Sequence, residues 1–559
     1  MPSAFESNKI IASLFFLTIS FHSKAEISME SLGTSSSQPI GTSQDLSNLS
    51  PSDPGSSNLL NDKTKKIDKK TIKSSKPTHV ESSQKKTTPF IGNQAYMAVR
   101  GNNYFTGSSD YIITFSLNNS NGGLTNRQQT FTETFATTSP APFNFALILQ
   151  GQLPSDINTE TISQITWVVV NGTTYLATRG YVKSLGEYIA IYTLDTTIDA
   201  TSGKLINKQT IFVPQTEPLT NIQWVVVNNT AYLATWGFDT QFYQYFIAVY
   251  VLDQISGALI NKQKILLDQA QSINQITWTV ANDIAYLGVW GLNNSRNLYF
   301  ISIYTLDQTN GSLINVPSKQ NTYMASSESI TQIEWVVIQN ASLQDVSYLA
   351  VNGYDILSNR PFIAIFTLNE TTGGLANKQK TFLLQQETCN QIEWVVINNN
   401  AYLGIWGLDS LQNQYYLSTF ILNPTTGSLA NRKKNFTPLS EMINFITWVV
   451  VNNTAYLATP GFDNFQNKAF IVIYTLNKNT IQLTNPQITF LTIQTSIIQI
   501  EWVVANQKAY LGVRGYNNLQ NRFYLSVFTL STNNGSLFNN QIRLASTGET
   551  FYQFEWVAL

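Results

Sequence analysis

Ile222-Gln-Trp-Val-Val-Val227, Ala231-Tyr-Leu-Ala-Thr-Trp236 and Phe246-Ile-Ala-Val-Tyr-Val-Leu252, with Ala258 to Leu266 after them, decide the fold. Asn228-Asn229 joins the first two segments, Gly237 closes the second, and Ser256-Gly257 precedes the fourth. β-branched and aromatic residues fill the segments, while Asn, Asp and Gly fill the joints. Asn tolerates the positive φ that a two-residue hairpin demands, so each joint reads as a tight antiparallel turn. The four segments are called a, b, c and d below.

Outward from this stretch the chain repeats itself. The motif Gln-Ile-x-Trp-Val-Val recurs around Trp167, Trp224, Trp278, Trp335, Trp394, Trp448, Trp502 and Trp556, at separations of 57, 54, 57, 59, 54, 54 and 54 residues. Eight of the 11 tryptophans thereby occupy one structural position. A period of this length with four short strands per unit predicts β-propeller blades. The near-continuous apolar runs agree, because a blade is covered on both faces by its neighbours. Seven complete units begin near 164, 221, 275, 332, 391, 445 and 499. The N-terminal remainder, from Ala95, has b, c and d but no a; the C-terminal remainder, Gln553 to Leu559, is a lone a. Joined, they make an eighth blade. The sequence therefore predicts an all-β, eight-bladed propeller of four-stranded antiparallel blades over 90–559, closed by its last strand, with a long loop at about 132–160.

The first 89 residues differ. Lys9, the apolar run Ile10 to Phe21 and Ser23-Lys-Ala25 read as a signal peptide over 1–25, with no lipobox cysteine, and so predict secretion or a periplasmic location. Residues 26–89 are rich in Ser, Thr and Lys and read as a disordered linker. Its lysines Lys63, Lys65, Lys66, Lys69, Lys70, Lys73 and Lys76 are the expected point of contact with an anionic envelope. No later stretch is long and apolar enough to span a membrane.

Composition removes several chemistries. Charged residues are 12% of the 559 and the net charge is −1, which argues against nucleic-acid binding by the propeller. The two histidines, His22 and His79, precede the repeats, so the propeller has no His base and no His-ligated metal. Cys389, the one cysteine, reads as an inert packed thiol. Carboxylate chemistry or oxygen-ligated calcium is what survives.

The segments Ala231-Tyr-Leu-Ala-Thr and Phe246 to Leu252, with turns such as Thr426-Gly-Ser-Leu429, resemble extracytoplasmic bacterial propellers. The YVTN and lactonase-like group and the eight-bladed quinoprotein-like group are the ones they are similar to, at the level of single blades. The tryptophan that quinoprotein-like blades carry after the Thr-Gly turn is replaced here by Ala430 to Lys434, so no quinone is expected.

Three sets of residues stand out. The position before the anchor Trp is Glu334, Glu393, Glu501 and Glu555 in four blades, and Thr166, Gln223, Thr277 and Thr447 in the others. Segment a lies innermost in propellers, so these carboxylates predict a partial ring at the axis. The residue before the segment-b glycine is Arg100, Arg179 and Arg514 in three blades and Trp236, Trp290 and Trp406 in three more. Hairpin pairing should bring Arg514 near Glu501 and Arg100 near Glu555, and the tryptophans to the mouth of the b–c loop as a stacking platform. Asp239, Asp355, Asp409 and Asp463 follow two residues after that glycine and read as turn caps, with calcium as the weaker alternative.

The expectation is a secreted or periplasmic binding propeller without a cofactor, taking a protein or glycan ligand on its b–c loop face. Two alternatives stand beside it: a carboxylate-based hydrolase or lyase working in the axial funnel, and a structural surface protein.

Overall fold

The computed structural model describes residues 91–103, 110–131, 160–183, 185–196, 203–314, 321–340, 342–438, 441–492 and 495–559. The segments expected to be a signal peptide and a linker, with lysines 63–76, and residues 132–159 of the expected long loop lie outside the described residues. No helix among the described residues is long and apolar enough to cross a membrane.

The described chain is an eight-bladed β-propeller. Blade 3 shows the pattern: Leu219–Val227 (a), Thr230–Asp239 (b), Gln244–Asp253 (c) and Ala258–Leu266 (d) pair antiparallel in that order. Asn228 and Asn229 have φ of 48° and 57°, so the a–b turn is of the kind the sequence predicts. The strands are longer than the quoted segments because pairing continues past the apolar core.

The last blade closes as expected. Glu549–Ala558 is the innermost strand of blade 1 and pairs with Ala95–Asn103, with Met97 opposite Trp556. A second lock was not foreseen: Ile91–Gly92 pairs in parallel with Val504 and Ala505 of blade 8. Innermost strands touch in sequence round the ring, and Glu549–Ala558 contacts both Thr495–Ala505 and Glu160–Val170. No sheet edge is left open between first and last blades.

The core is a set of clusters between blades. Trp167, Trp394 and Trp556 are fully buried, and Trp448 packs over Gly404 as Trp556 packs over Gly512. Seven of the eight anchor tryptophans are buried, and Trp278 is half-buried. The small Ala or Gly in strand b is what lets the neighbouring indole lie flat on the sheet.

Two irregularities shape each blade. Strand a bulges opposite the b glycine: Trp236 faces Asn221 but Gly237 faces Leu219. The bulge drives the Pro218 carbonyl onto Gly237, where any Cβ would overlap it. Strand d bulges at an Asn in a Leu-x-Asn motif, with Asn261, Asn377, Asn431 and Asn485 at φ of 49–53°.

Candidate functional site

The four glutamates come from innermost strands, as predicted. Three of them accept hydrogen bonds across blade seams. Glu555 accepts the backbone N–H of Trp167 (3.2 Å), Glu393 that of Trp448 (3.2 Å), and Glu334 that of Trp394 (3.4 Å). Beside them runs a feature that the sequence reading missed. Gln332 donates its amide to the Ile392 carbonyl and accepts the Ile392 N–H, both at 2.9 Å. The same two-bond latch joins Gln164 to Ile222, Gln275 to Ile333, Gln391 to Ile446, Gln499 to Phe554 and Gln553 to Ile165. A side-chain amide here imitates one rung of a β-ladder between sheets that are not otherwise paired. The signal was the Gln of Gln-Ile-x-Trp, recurring with the Trp.

The position before the b glycine also serves the seams. Trp290 donates its indole N–H to Gln275 (3.0 Å), and Trp406 to Gln391 (3.2 Å). Arg514 reaches Gln499 (3.4 Å) with Nε and the Phe551 carbonyl of the next blade (2.7 Å) with Nη1. Trp236 meets the shorter Asn221, which Gln164 already engages, and its indole N–H is buried without an acceptor. Trp236, Trp290 and Trp406 are only 4, 6 and 9% exposed and sit in inter-blade clusters. They are placed as packing residues beneath the b–c turns, with little face left for stacking. Arg100 lies over the Tyr552 ring, and Arg179 is 3.6 Å from Glu187. Register sets Arg514 opposite Gln499 and Arg100 opposite Gln553, two pairs along from Glu501 opposite Gly512 and Glu555 opposite Ala98.

The aspartates cap the b–c turns: Asp409 accepts the N–H groups of Leu411 (3.1 Å) and Gln412 (3.2 Å). Their second oxygens form a repeated ion cluster. In blade 6, Lys434 bridges Glu387 (2.5 Å) and Asp409 (2.7 Å), and Arg432 adds two bonds to Glu387. Lys380 bridges Glu328 and Asp355 in blade 5, and Lys264 bridges Glu217 and Asp239 in blade 3. Burial alone would raise Glu387, but the Arg432 and Lys434 bonds hold it below the usual carboxylate range. The Lys380 bond brings Asp355 to about 2.

Blade 7 breaks the pattern. Glu441 faces Asp463 on the same pair of strands, but Pro486 and Ile488 stand where blades 3, 5 and 6 carry basic residues. Proline at 438 also offers no N–H, whereas Ala325 and Leu384 donate theirs to Glu328 and Glu387. Burial, then the charge of Asp463, pushes Glu441 up to about 7. The Cys389 thiol is pushed up to about 12 by burial. Among the described residues no group of three His, Cys, Asp or Glu side chains is positioned to hold a metal ion.

What remains at the surface of this face is the turn tips. Phe242, Tyr243, Leu357, Leu411, Phe465 and Leu519 project from b–c turns, from 50% exposed at Phe242 to 89% at Phe465. Leu357, Leu411, Phe465 and Leu519 occupy one repeat position, two residues after the turn-capping Asp or Asn. Among the described residues, the a–b and c–d turns of the opposite face contribute only Ile255 and Leu343 to the exposed large apolar side chains.

No family model matches the chain, and no curated protein does. Among solved structures it is similar to a prolyl endopeptidase at 9% identity and TM-score 0.39, covering 70% of this chain and 49% of that one. This chain thus spans about half the length of that enzyme. The Dos1 propeller matches at 12% identity and TM-score 0.40 (76% of this chain, 92% of that one). The polysaccharide lyase Uly1 matches at 9% and 0.37 (69% and 96%). At these identities and scores the matches assign no activity to this chain.

Proposed function

We propose that this protein is a non-catalytic binding propeller, exported from the cytoplasm as its N-terminal segment predicts, that docks on a macromolecular partner through its b–c turn face. The likeness of its blades to extracytoplasmic bacterial propellers is part of the same reading. The observation that carries it is the crown of exposed apolar tips on one face of a ring whose opposite turns expose, among the described residues, only Ile255 and Leu343 of the large apolar side chains. Isolated exposed apolar residues need no explanation, but the same position filled the same way in four blades marks an interaction surface. Trp236, Trp290, Trp406, Arg179 and Arg514 then act beneath that surface, holding the bases of the turns.

The carboxylates support the non-catalytic side of this reading. Glu334, Glu393 and Glu555 each accept a backbone N–H from the next blade, a seam role that a general acid or nucleophile would have to abandon. A photo-crosslinking residue at Leu411 or Phe465, in cells making the full chain, should capture a partner, while one at Leu343 should not. Equal capture from both faces would overturn the assignment of the face. Retention of partner capture with loss of a hydrolytic activity in Glu334→Gln/Glu393→Gln would overturn the non-catalytic part.

A further inference from the structure

The b–c face has a charge pattern as well as an apolar one. Lys183 and Arg296 lie in its turns, and Arg360, Lys468 and Arg522 are the first residues of the strands leaving those turns, in five different blades; Arg360 and Arg522 each give Nε to a backbone carbonyl, of Leu383 and Ala545. Lys183 and Arg296 are exposed and the other three half-buried. The carboxylates of the same turns are withdrawn: Asp239, Asp355 and Asp409 are buried and bridged by lysines from strand d. Asp268 is an exposed carboxylate in the linking segments of this face. The opposite face carries Asp253, Asp283, Asp307, Asp345 and Glu370 against Lys204, Lys478 and Lys508. One side of the ring therefore exposes apolar tips with cations at or beside them, and the other is on balance acidic.

Geometry narrows the occupant. Positions related by the rotation of a closed ring lie at one height along its axis. Leu357, Leu411, Phe465 and Leu519, at one repeat position in the consecutive blades 5 to 8, are thus arranged to meet one surface together. Apolar side chains that enter the headgroup boundary, flanked by cations that attract anionic lipid, are the composition of an interfacial anchor.

We propose that the b–c face docks on an anionic lipid bilayer, with these turn tips inserted at the headgroup boundary. This rests on the docking reading above and names its partner. Charge complementarity and the recurrence of one exposed apolar position over four consecutive blades favour a bilayer over a protein partner.

The test is sedimentation of the full chain, with the lysines of 63–76 changed to serine, with vesicles of roughly 7:3 phosphatidylcholine to phosphatidylglycerol in about 0.1 M NaCl, where surface charge still acts. The chain should sediment with the vesicles, and Leu411→Ser/Phe465→Ser/Leu519→Ser should bind at least about tenfold more weakly, with an unchanged melting temperature. Ile255→Ser/Leu343→Ser should bind as the parent does. A second measurement guards against a folding artefact: a polarity-sensitive dye on Leu411→Cys, made with Cys389→Ser, should shift to the blue with vesicles. Absence of vesicle binding, equal binding by the triple variant, or an unshifted dye each overturns the proposal. Should crosslinkers at the same turns capture a protein while vesicles are ignored, the docking face stands and its lipid partner does not.

Discussion

Ile488 occupies a place where Lys264, Lys380 and Lys434 each bridge two carboxylates, and that single replacement leaves Glu441 facing Asp463 without the cation. A carboxyl raised to about 7 in the folded protein binds its proton more tightly there than in the unfolded chain. Its contribution is present in full below the unfolded value of 4.5 and is lost as pH rises towards 7. Discounted for its partial contact with solvent, the loss is of order 1–2 kcal/mol. Chemical denaturation at pH 5 and pH 8 should show this slope in the parent and not in Glu441→Gln. Ile488→Lys should restore the bridge and raise stability at pH 8, and an unchanged or lower value there would refute the cation-deletion account. At Gly407 the constraint is steric: a Cβ would overlap the Thr388 carbonyl. Gly407→Ala should cost roughly 2–4 kcal/mol, read as a fall in denaturation midpoint, because backbone and not a flexible side chain must yield. A shift below about 0.5 kcal/mol, the range of ordinary surface changes, would mean that the bulge relaxes.

Between elements, the glutamine latch does for two blades what a ladder does within one. Gln332→Ala leaves both the N–H and the carbonyl of Ile392 without their partner, at a half-buried seam. A loss of about 1–3 kcal/mol is expected from unfolding curves. Gln332→Glu keeps the acceptor but not the donor and should fall between parent and Ala. If Gln332→Ala matches the parent, the latch is ornamental and the seam is held by its tryptophan alone. Asn221 and Phe445 stand at the position where the other six blades carry this Gln. The partly legible sites belong to this scale too. The pairing of strand a with strand b follows from the hairpin. The direction in which Trp406 or Arg514 points, towards the next blade's seam, follows from a neighbour whose inner strand lies some 40–60 residues further along the chain.

At the scale of the whole ring, closure is the feature on which the rest depends. Removal of residues 553–559 takes away the buried Trp556, the Gln553 latch and the pairing with Ala95–Asn103, and opens an edge in blade 1. The tryptophan alone accounts for ~3–5 kcal/mol. The truncated chain should melt well below the parent and bind a dye for exposed apolar surface; a parent-like melting curve would sink the closure account. The lock of Ile91–Gly92 on blade 8 predicts a second, smaller loss when residues 91–92 are also removed. Blade 7, with its carboxylate pair and no bridging lysine, is the segment where loosening at alkaline pH should first appear in hydrogen exchange.

The repeat by itself determined the strand order, the number of blades and the closing strand, because these depend on local turn chemistry and on counting. Asn228-Asn229 makes its hairpin whatever lies beside it. The missing segment a at one end of the ring and the surplus one at the other have one economical solution. The identity of the working surface was decided only by tertiary structure. Trp236, Trp290 and Trp406 read as a platform because large aromatics beside a glycine at a loop mouth look the same in sequence whether they face solvent or a neighbour. Packing of blade on blade buried them, and left exposed the smaller Leu357, Leu411, Phe465 and Leu519, which a pattern of apolar residues assigns to a core. Burial is a property of what the next blade covers, and that neighbour is specified only once the ring has closed.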